Sequence, residues 1–429
     1  MKKEKFLIST IILIIGGALT KIFGMIIRIV MTRIVGTDGI SLYMLIFPTF
    51  SLFMTISQLG FPIAISKLVS EDKYNNKNVV FSIIPFSLIL NIVLMLIIII
   101  IARPISIYLL KDYRCYYPIL AIGLVLPFDS LSSILRGYFF GKQKMIPHVL
   151  SNIFEQIVRL LLIILIIPKI INNGLSIAVS GIVAVNIISE LSSIFILFFF
   201  IPIKFKLRGS DIKPDISNVK EILRIALPTT GGRLIGSIGY FFEPILITLS
   251  ATLSGANSSL IIKEYGIIEG YVMPILLLPG FFTNAISNAL LPVVSKAYSN
   301  NNITYVKKKL KQAIFISLLI GIPFTIIVVI FPNLFLKIMY KTTEGGKYLR
   351  LIAIPILLYY VQSPLTTVLQ SIGKSKYIMT ENTKAIILRS IIILFGGIFI
   401  GIYAFLLAMC INILFVTFNY YKRIKKALK

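Results

Sequence analysis

At 429 residues, 57% hydrophobic and only 14% charged, the chain has too little polar surface to cover a soluble core of its size. A net charge of +27 taken alone would suit a nucleic-acid partner, while two cysteines, Cys115 and Cys410, are too few for a disulfide framework and suit small core positions. The apolar residues run in continuous blocks such as ILNIVLMLIIIIIA, which excludes the alternating strands of an outer-membrane barrel.

A bilayer core of about 30 Å asks for about 20 apolar residues per helix. Twelve blocks meet that length, at roughly 6–32, 40–66, 79–102, 115–140, 146–168, 174–201, 222–250, 264–295, 312–332, 350–372, 378–398 and 401–419. The first opens with MKKEKFLISTIILIIGG, in the manner of a secretory leader, but runs on past Lys21 to about Val35. That is too long for a leader core and predicts an uncleaved first span. With the N-terminus inside and twelve alternating helices, 26 Lys and Arg fall on the cytoplasmic side and 10 outside. This is the positive-inside bias, and it predicts that both termini are cytoplasmic. The basic excess then needs no nucleic acid; attraction to anionic lipid is a secondary effect.

The chain also repeats itself. Ser66-Lys67 returns as Ser295-Lys296, GKQK at Gly141–Lys144 as GKSK at Gly373–Lys376, and Arg159 as Arg389, at offsets of 229, 232 and 230. Three marks in the same order at near-constant spacing predict a duplication. The expected fold is therefore all-α and polytopic: two parallel six-helix repeats, 1–203 and 222–429, joined by a basic cytoplasmic linker at 204–221. Parallel repeats place a cavity between the halves near mid-bilayer and alternate its access by rocking.

The stretch GGALTKIFGMIIRIVMTRIVGTDGISLYMLIFPTFSLFMTISQLGFPIAISKLVSED resembles the opening of the stage V sporulation protein B family. ILRGYFFGKQKMIPHVLSNIFEQIVRL and LRLIAIPILLYYVQSPLTTVLQSIGKSKY resemble that family's fourth-to-fifth helix passage and tenth helix, so the likeness touches both halves. These are bacterial oligosaccharide flippases, of the superfamily that also holds lipid II flippases and multidrug and toxic-compound extruders. The resemblance implies a monomer in the cytoplasmic membrane that flips a polyprenyl-pyrophosphate-linked saccharide, with membrane lipids as its other partner. Many flippases of this branch have fourteen helices and carry a lipid-tail groove in the last pair, whereas twelve are found here.

Ionisable groups within a bilayer are costly and mark a pathway or an internal pair. Lys21 and Arg28, seven residues apart on the first span, share one helix face with no acid nearby. Arg233 lies on the seventh span, in PTTGGRLIGSIGYFFEP, the place the first span holds in its own half. These positions, with Arg389, are candidate sites for a pyrophosphate headgroup, because a guanidinium fork matches phosphate oxygens. Lys21 alternatively snorkels to an interface. Asn284 and Asn288, one turn apart, either meet sugar hydroxyls or bond another helix. Glu155 and Arg159 at i, i+4 either pair on their own helix or act as a gate. Glu243, before the helix-bending Pro244, holds a coupling cation, forms a gate pair with a basic residue or serves as a static counter-ion to Arg233. Asp129, Glu190 and Glu269 are further acids in or near spans, and Glu381 with Lys384 suits an interfacial pair. Gly232 and Gly236 form G-x-x-x-G, for close packing or for bending the seventh span.

No enzyme is expected. SIGKS at Ser371–Ser375 has Val368 where a phosphate loop needs its first glycine, and the only histidine, His148, has no ligand or nucleophile at working distance along the chain. No cofactor and no metal site are expected, and with no ATP motif the drive is a membrane potential, an ion gradient or removal of product. Two alternatives to a flippase stand beside it. A cation-coupled multidrug exporter of the same superfamily requires an acid-rich cavity, and a non-transporting scaffold requires its intramembrane charges to be paired and dispensable.

Overall fold

The protein is described here by a computed structural model covering residues 2–71, 76–201 and 216–428, so most of the linker at 204–221 lies outside the described residues. Every regular element among them is helical. In lipid that follows from backbone chemistry, since a helix satisfies its own N–H and C=O groups without water.

Helix α1, Lys2–Gln58, has 57 residues and a single non-helical position, Gly36, at φ 67° and ψ −170°. A straight helix of that length would be about 85 Å long, nearly three hydrocarbon cores. The kink at Gly36 divides it into the first and second predicted spans. The second span is not continuous to residue 66 as expected. It stops at Gln58, the chain turns through Leu59 and Gly60 (φ 40° and 68°), and α2, Phe61–Ser70, resumes. The remaining helices of the first half are α3 (Asn76–Pro104), α4 (Tyr116–Gly141), α5 (Met145–Ile170) and α6 (Leu175–Phe199).

The second half opens with α7, Ile216–Leu253. The eighth predicted span is broken into α8 (Ser258–Ile267), a π-helical turn, α9 (Met273–Leu276) and α10 (Leu278–Ser299), with a 51° bend before α10. Pro274 and Pro279 flank the break and cannot donate backbone bonds. The Tyr360 hydroxyl donates to the Leu276 carbonyl at the break, at 2.5 Å. Then come α11 (Ile303–Ile330), the short α12 (Pro332–Tyr340), α13 (Gly346–Ser371), α14 (Ser375–Ile391), α15 (Gly397–Ile400) and α16 (Tyr403–Ala427).

Ten stretches among the described residues are long and apolar enough to cross a bilayer, and the bent pair makes an eleventh. One of the ten, Ile15–Ser70, contains the Gly36 kink and crosses twice, which gives the twelve crossings expected. The duplication is visible in the backbone. α4 and α13 both have 26 residues and start 230 positions apart. The left-handed residues Lys111 and Lys341 (φ 56° and 57°) are separated by the same interval, as are Gln143 and Gly373 (55° and 74°).

Contacts divide the chain into two compact units, Met1–Phe241 and Phe242–Lys429, the division falling inside α7. In the first, small residues let helices close up. A Cβ on Gly137 would lie 2.8 Å from the Pro62 backbone, and one on Gly141 2.7 Å from the Ser66 carbonyl, so α4 sits directly on α2. Gly60 does the same for α7, where a Cβ would meet the Thr229 and Thr230 hydroxyls at 2.8 and 2.7 Å. Gly236 does not act this way: a Cβ there meets nothing within 4 Å, so the packing reading of G-x-x-x-G finds no neighbour on that residue. In the second unit a core of Val294, Leu310, Leu365, Val368, Tyr420 and Ile424 joins α10, α11, α13 and α16. Both cysteines are free, Cys115 buried and Cys410 half-buried.

Candidate functional site

Within the first unit α4, α5 and α6 bring charged side chains together in the buried interior. Asp129, Ser132 and Arg136 occupy one face of α4 at i, i+3 and i+7. Arg136 pairs with Glu155 of α5, reaches Glu190 of α6 at 3.3 Å and donates to the Ser193 hydroxyl at 2.8 Å. Arg159 holds the other Glu155 oxygen at 2.5 Å and lies 3.8 Å from Glu190. The Ser132 hydroxyl donates to Glu190 at 2.5 Å, and the Gln58 amide donates to Asp129 at 2.9 Å. All three carboxylates are buried. A buried charge persists only when paired and hydrogen-bonded, and here two guanidiniums, the Ser132 hydroxyl and the Gln58 amide supply that.

The expected pair Glu155–Arg159 thus forms, as part of a larger set. Arg136 is its centre and was missed as a site residue, because it lies near a span end and reads as an interfacial cation. The signal that finds it is its alignment with Asp129 and Ser132 on one helix face.

Arg233 differs from the other guanidiniums. Its side chain is exposed, and among the described residues its hydrogen-bond partner is a neutral one, the Gln58 carbonyl oxygen at 3.5 Å. Gln58 therefore links Arg233 to Asp129 through its two amide ends. The Thr55 and Ser237 hydroxyls, 2.8 Å apart, and the Phe47 and Tyr240 rings, 6.3 Å between centroids, fasten the same face of α7 to α1. On α1, Arg28 is half-buried and Lys21 exposed, in an unbroken helical stretch that keeps their shared face.

In the second unit the expectations change. Arg389 does not present a bare cation: it binds Glu243 at 2.5 Å and lies 5.3 Å from the Phe405 ring centroid. Glu243 accordingly does not serve as counter-ion to Arg233. It is buried, and Tyr265 donates to its second oxygen at 3.4 Å. Position 385 is alanine, so the acid that Arg159 finds on its own helix is supplied to Arg389 by α7. Removing one partner of such a pair leaves the other charge buried. Glu243→Ala is expected to destabilise the protein by about 3–5 kcal/mol and Glu243→Ala with Arg389→Ala by less than either single change, read as detergent thermal melts.

Asn284 accepts from the Ser363 hydroxyl at 2.7 Å, which ties α10 to α13 and is the helix-bonding alternative. The Asn288 side chain lies outside the described residues. Lys384 meets Glu381 at 2.7 Å, the interfacial pair expected. Among the described residues no group of three or more His, Cys, Asp or Glu is placed to hold a metal ion.

Comparison with known proteins agrees with this architecture. The polysaccharide biosynthesis protein family model matches residues 6–298, and the MatE family model matches 269–395. Stage V sporulation protein B of Bacillus subtilis is 32% identical over 442 residues, which take in 100% of this chain and 85% of that protein. Lipid II flippase MurJ of the same organism is 22% identical over 91% of this chain and 77% of its own length. Among solved structures, an inward-facing multidrug resistance MATE family transporter of the MOP superfamily superposes with a TM-score of 0.71 at 16% identity, covering 95% of this chain and 94% of its own. A Pyrococcus furiosus MOP superfamily transporter, described as having a binding pocket of reversed polarity, gives 0.63 at 16%, covering 99% of this chain and 96% of its own. With twelve apolar crossings, a duplicated helical backbone and a family match across most of its length, the chain belongs to the polysaccharide biosynthesis protein family and is a multi-pass membrane protein.

Proposed function

We propose that the protein is an alternating-access flippase that moves a polyprenyl-pyrophosphate-linked saccharide across a bacterial cytoplasmic membrane, with both termini in the cytoplasm. The observation that carries this reading is the state of Arg233. Arg136, Arg159 and Arg389 are each met by a carboxylate, and Arg233 is met by an amide. An exposed guanidinium within a span, with a neutral partner, is suited to an anionic ligand, and its fork fits two phosphate oxygens. Arg28 and Lys21 on α1 add positive charge in the same unit. With Arg28, Arg136, Arg159 and Arg233 set against Asp129, Glu155 and Glu190, the intramembrane charge of this unit is a net cation. The relatives support the cargo: one is a lipid II flippase by name, and the family model is one of polysaccharide biosynthesis.

The exporter alternative has the MatE model behind it over residues 269–395 alone, less than half of the chain. Its solved neighbours share 16% identity and speak for the fold alone, while a cationic drug would be repelled by this set. Mass spectrometry of lipids retained by the purified protein checks the cargo. A polyprenyl-pyrophosphate saccharide enriched over its share of the membrane extract is the expected result. Phospholipid alone, from cells that make such precursors, would overturn the assignment.

A further inference from the structure

The two halves differ at their basic ends. α6 ends in Phe198 and Phe199 with no basic residue in its last turn, and α3 starts with Lys77 alone within its first two turns. The corresponding elements of the second half are loaded with charge. α11 carries Lys307, Lys308, Lys309 and Lys311 within its first nine residues, and α16 carries Lys422, Arg423, Lys425 and Lys426 near its end. The first half has a single lysine on these two helix ends, its further cations following α6 in the linker at 204–221, so the second half carries a surplus of seven cations built into the helix ends themselves.

Three features place this surplus and give it a ligand. First, α11 has 28 residues and would be about 42 Å long against a hydrocarbon core of about 30 Å. Its apolar run begins at Ala313, so the lysine-bearing turns stand at headgroup level; α16, with 25 residues, overshoots in the same way at its other end. Second, Val306 and Leu310 of α11 and Tyr420, Ile424 and Leu428 of α16 are buried in one core cluster through α13. Burial of these faces turns Lys307, Lys308 and Lys311, and likewise Lys422, Lys425 and Lys426, outward. Third, the α11 lysines sit at a helix N-terminus, where the helix dipole is already positive and no acid occupies the first turn. Glu381 is the one acid among the helix ends on this side of the unit, and Lys384 and Asn419 already bind it. Tyr305 and Tyr377 lie under Lys309 and Arg423 at 5.3 and 5.0 Å, adding aromatic edges to the rim.

We infer that this rim is a docking surface for anionic phospholipid headgroups of the adjoining leaflet, which hold the second unit by a wide multi-headgroup contact. The cations are spread over two helix ends rather than converging on a pocket, which fits a layer of singly charged phosphodiesters better than one pyrophosphate. The inference stands apart from the identity of the cargo.

The test uses the full chain purified in a neutral detergent and offered mixed phosphatidylglycerol and phosphatidylethanolamine. Bound lipid is quantified after washing. The protein is expected to retain phosphatidylglycerol by roughly tenfold over phosphatidylethanolamine at low salt and to lose that preference at high salt. The joint change of Lys307, Lys308, Lys311, Lys422, Lys425 and Lys426 to Gln should abolish the preference, while Lys77→Gln with Lys142→Gln and Lys144→Gln keeps it. A preference unmoved by the six changes, or equally lost in the control, overturns the inference. If the six-site protein does not fold, the salt titration of the unaltered protein decides, and salt-independent retention overturns it. Binding of soluble polyglutamate without any lipid preference would assign the rim to an acidic protein partner and likewise overturn it.

Discussion

Arg136→Ala is expected to be the most damaging single change in the first unit. It removes the group that meets both Glu155 and Glu190, and it leaves Asp129, Glu155 and Glu190 buried with Arg159 as the one guanidinium bonded to them. Breaking a buried pair by removing one partner costs about 3–5 kcal/mol, and Arg136 serves two acids. With total stabilities of about 5–15 kcal/mol, that is a large share of the whole. The expected readout is a sharp fall in monodisperse protein on size exclusion and in melting temperature. Glu190→Gln added to Arg136→Ala should recover part of the loss, because it neutralises one stranded charge while the amide keeps a bond to Ser132. No recovery would mean that the cluster is not held by charge balance.

Arg233→Ala should act in the opposite sense, sparing the fold and removing transport. The side chain is exposed and bonds a neutral amide, so its loss strands no buried carboxylate. A charge-assisted bond to a ligand contributes about 1.5–3 kcal/mol, which corresponds to roughly ten- to hundredfold in affinity. Translocation of lipid-linked saccharide by reconstituted protein should fall by that order, with Arg28→Ala giving a similar loss. Arg233→Lys should recover only part, since an ammonium keeps the charge but not the fork. Full activity in both alanine variants would remove the anion site, although the family membership would stand.

The contrast between these two arginines also shows what a sequence carries and what it withholds. The spans and the duplication were legible because apolar length and charge punctuation are local properties, and Lys67 and Lys296 do lie in the last turns of α2 and α10. The turn at Leu59-Gly60 was not, since a glycine in an apolar run is ordinary and only the approach of Thr229 and Thr230 gives it meaning. Glu155 and Arg159 could be paired on paper because they share a helix. Arg136 with Glu190, and Glu243 with Arg389, could not, because nothing in one helix states which face of a distant helix it meets. The basic candidates were legible as a set, but not which of them was already satisfied.

That Arg159 draws its acid from its own helix, and Arg389 from α7, has a consequence for building hybrids of this protein. Splicing the α5 segment into the position of α14 would import a carboxylate four residues ahead of the arginine and strand Glu243. The reverse splice would deprive the first bundle of Glu155. Descended from one ancestor, the two copies have ceased to be interchangeable parts.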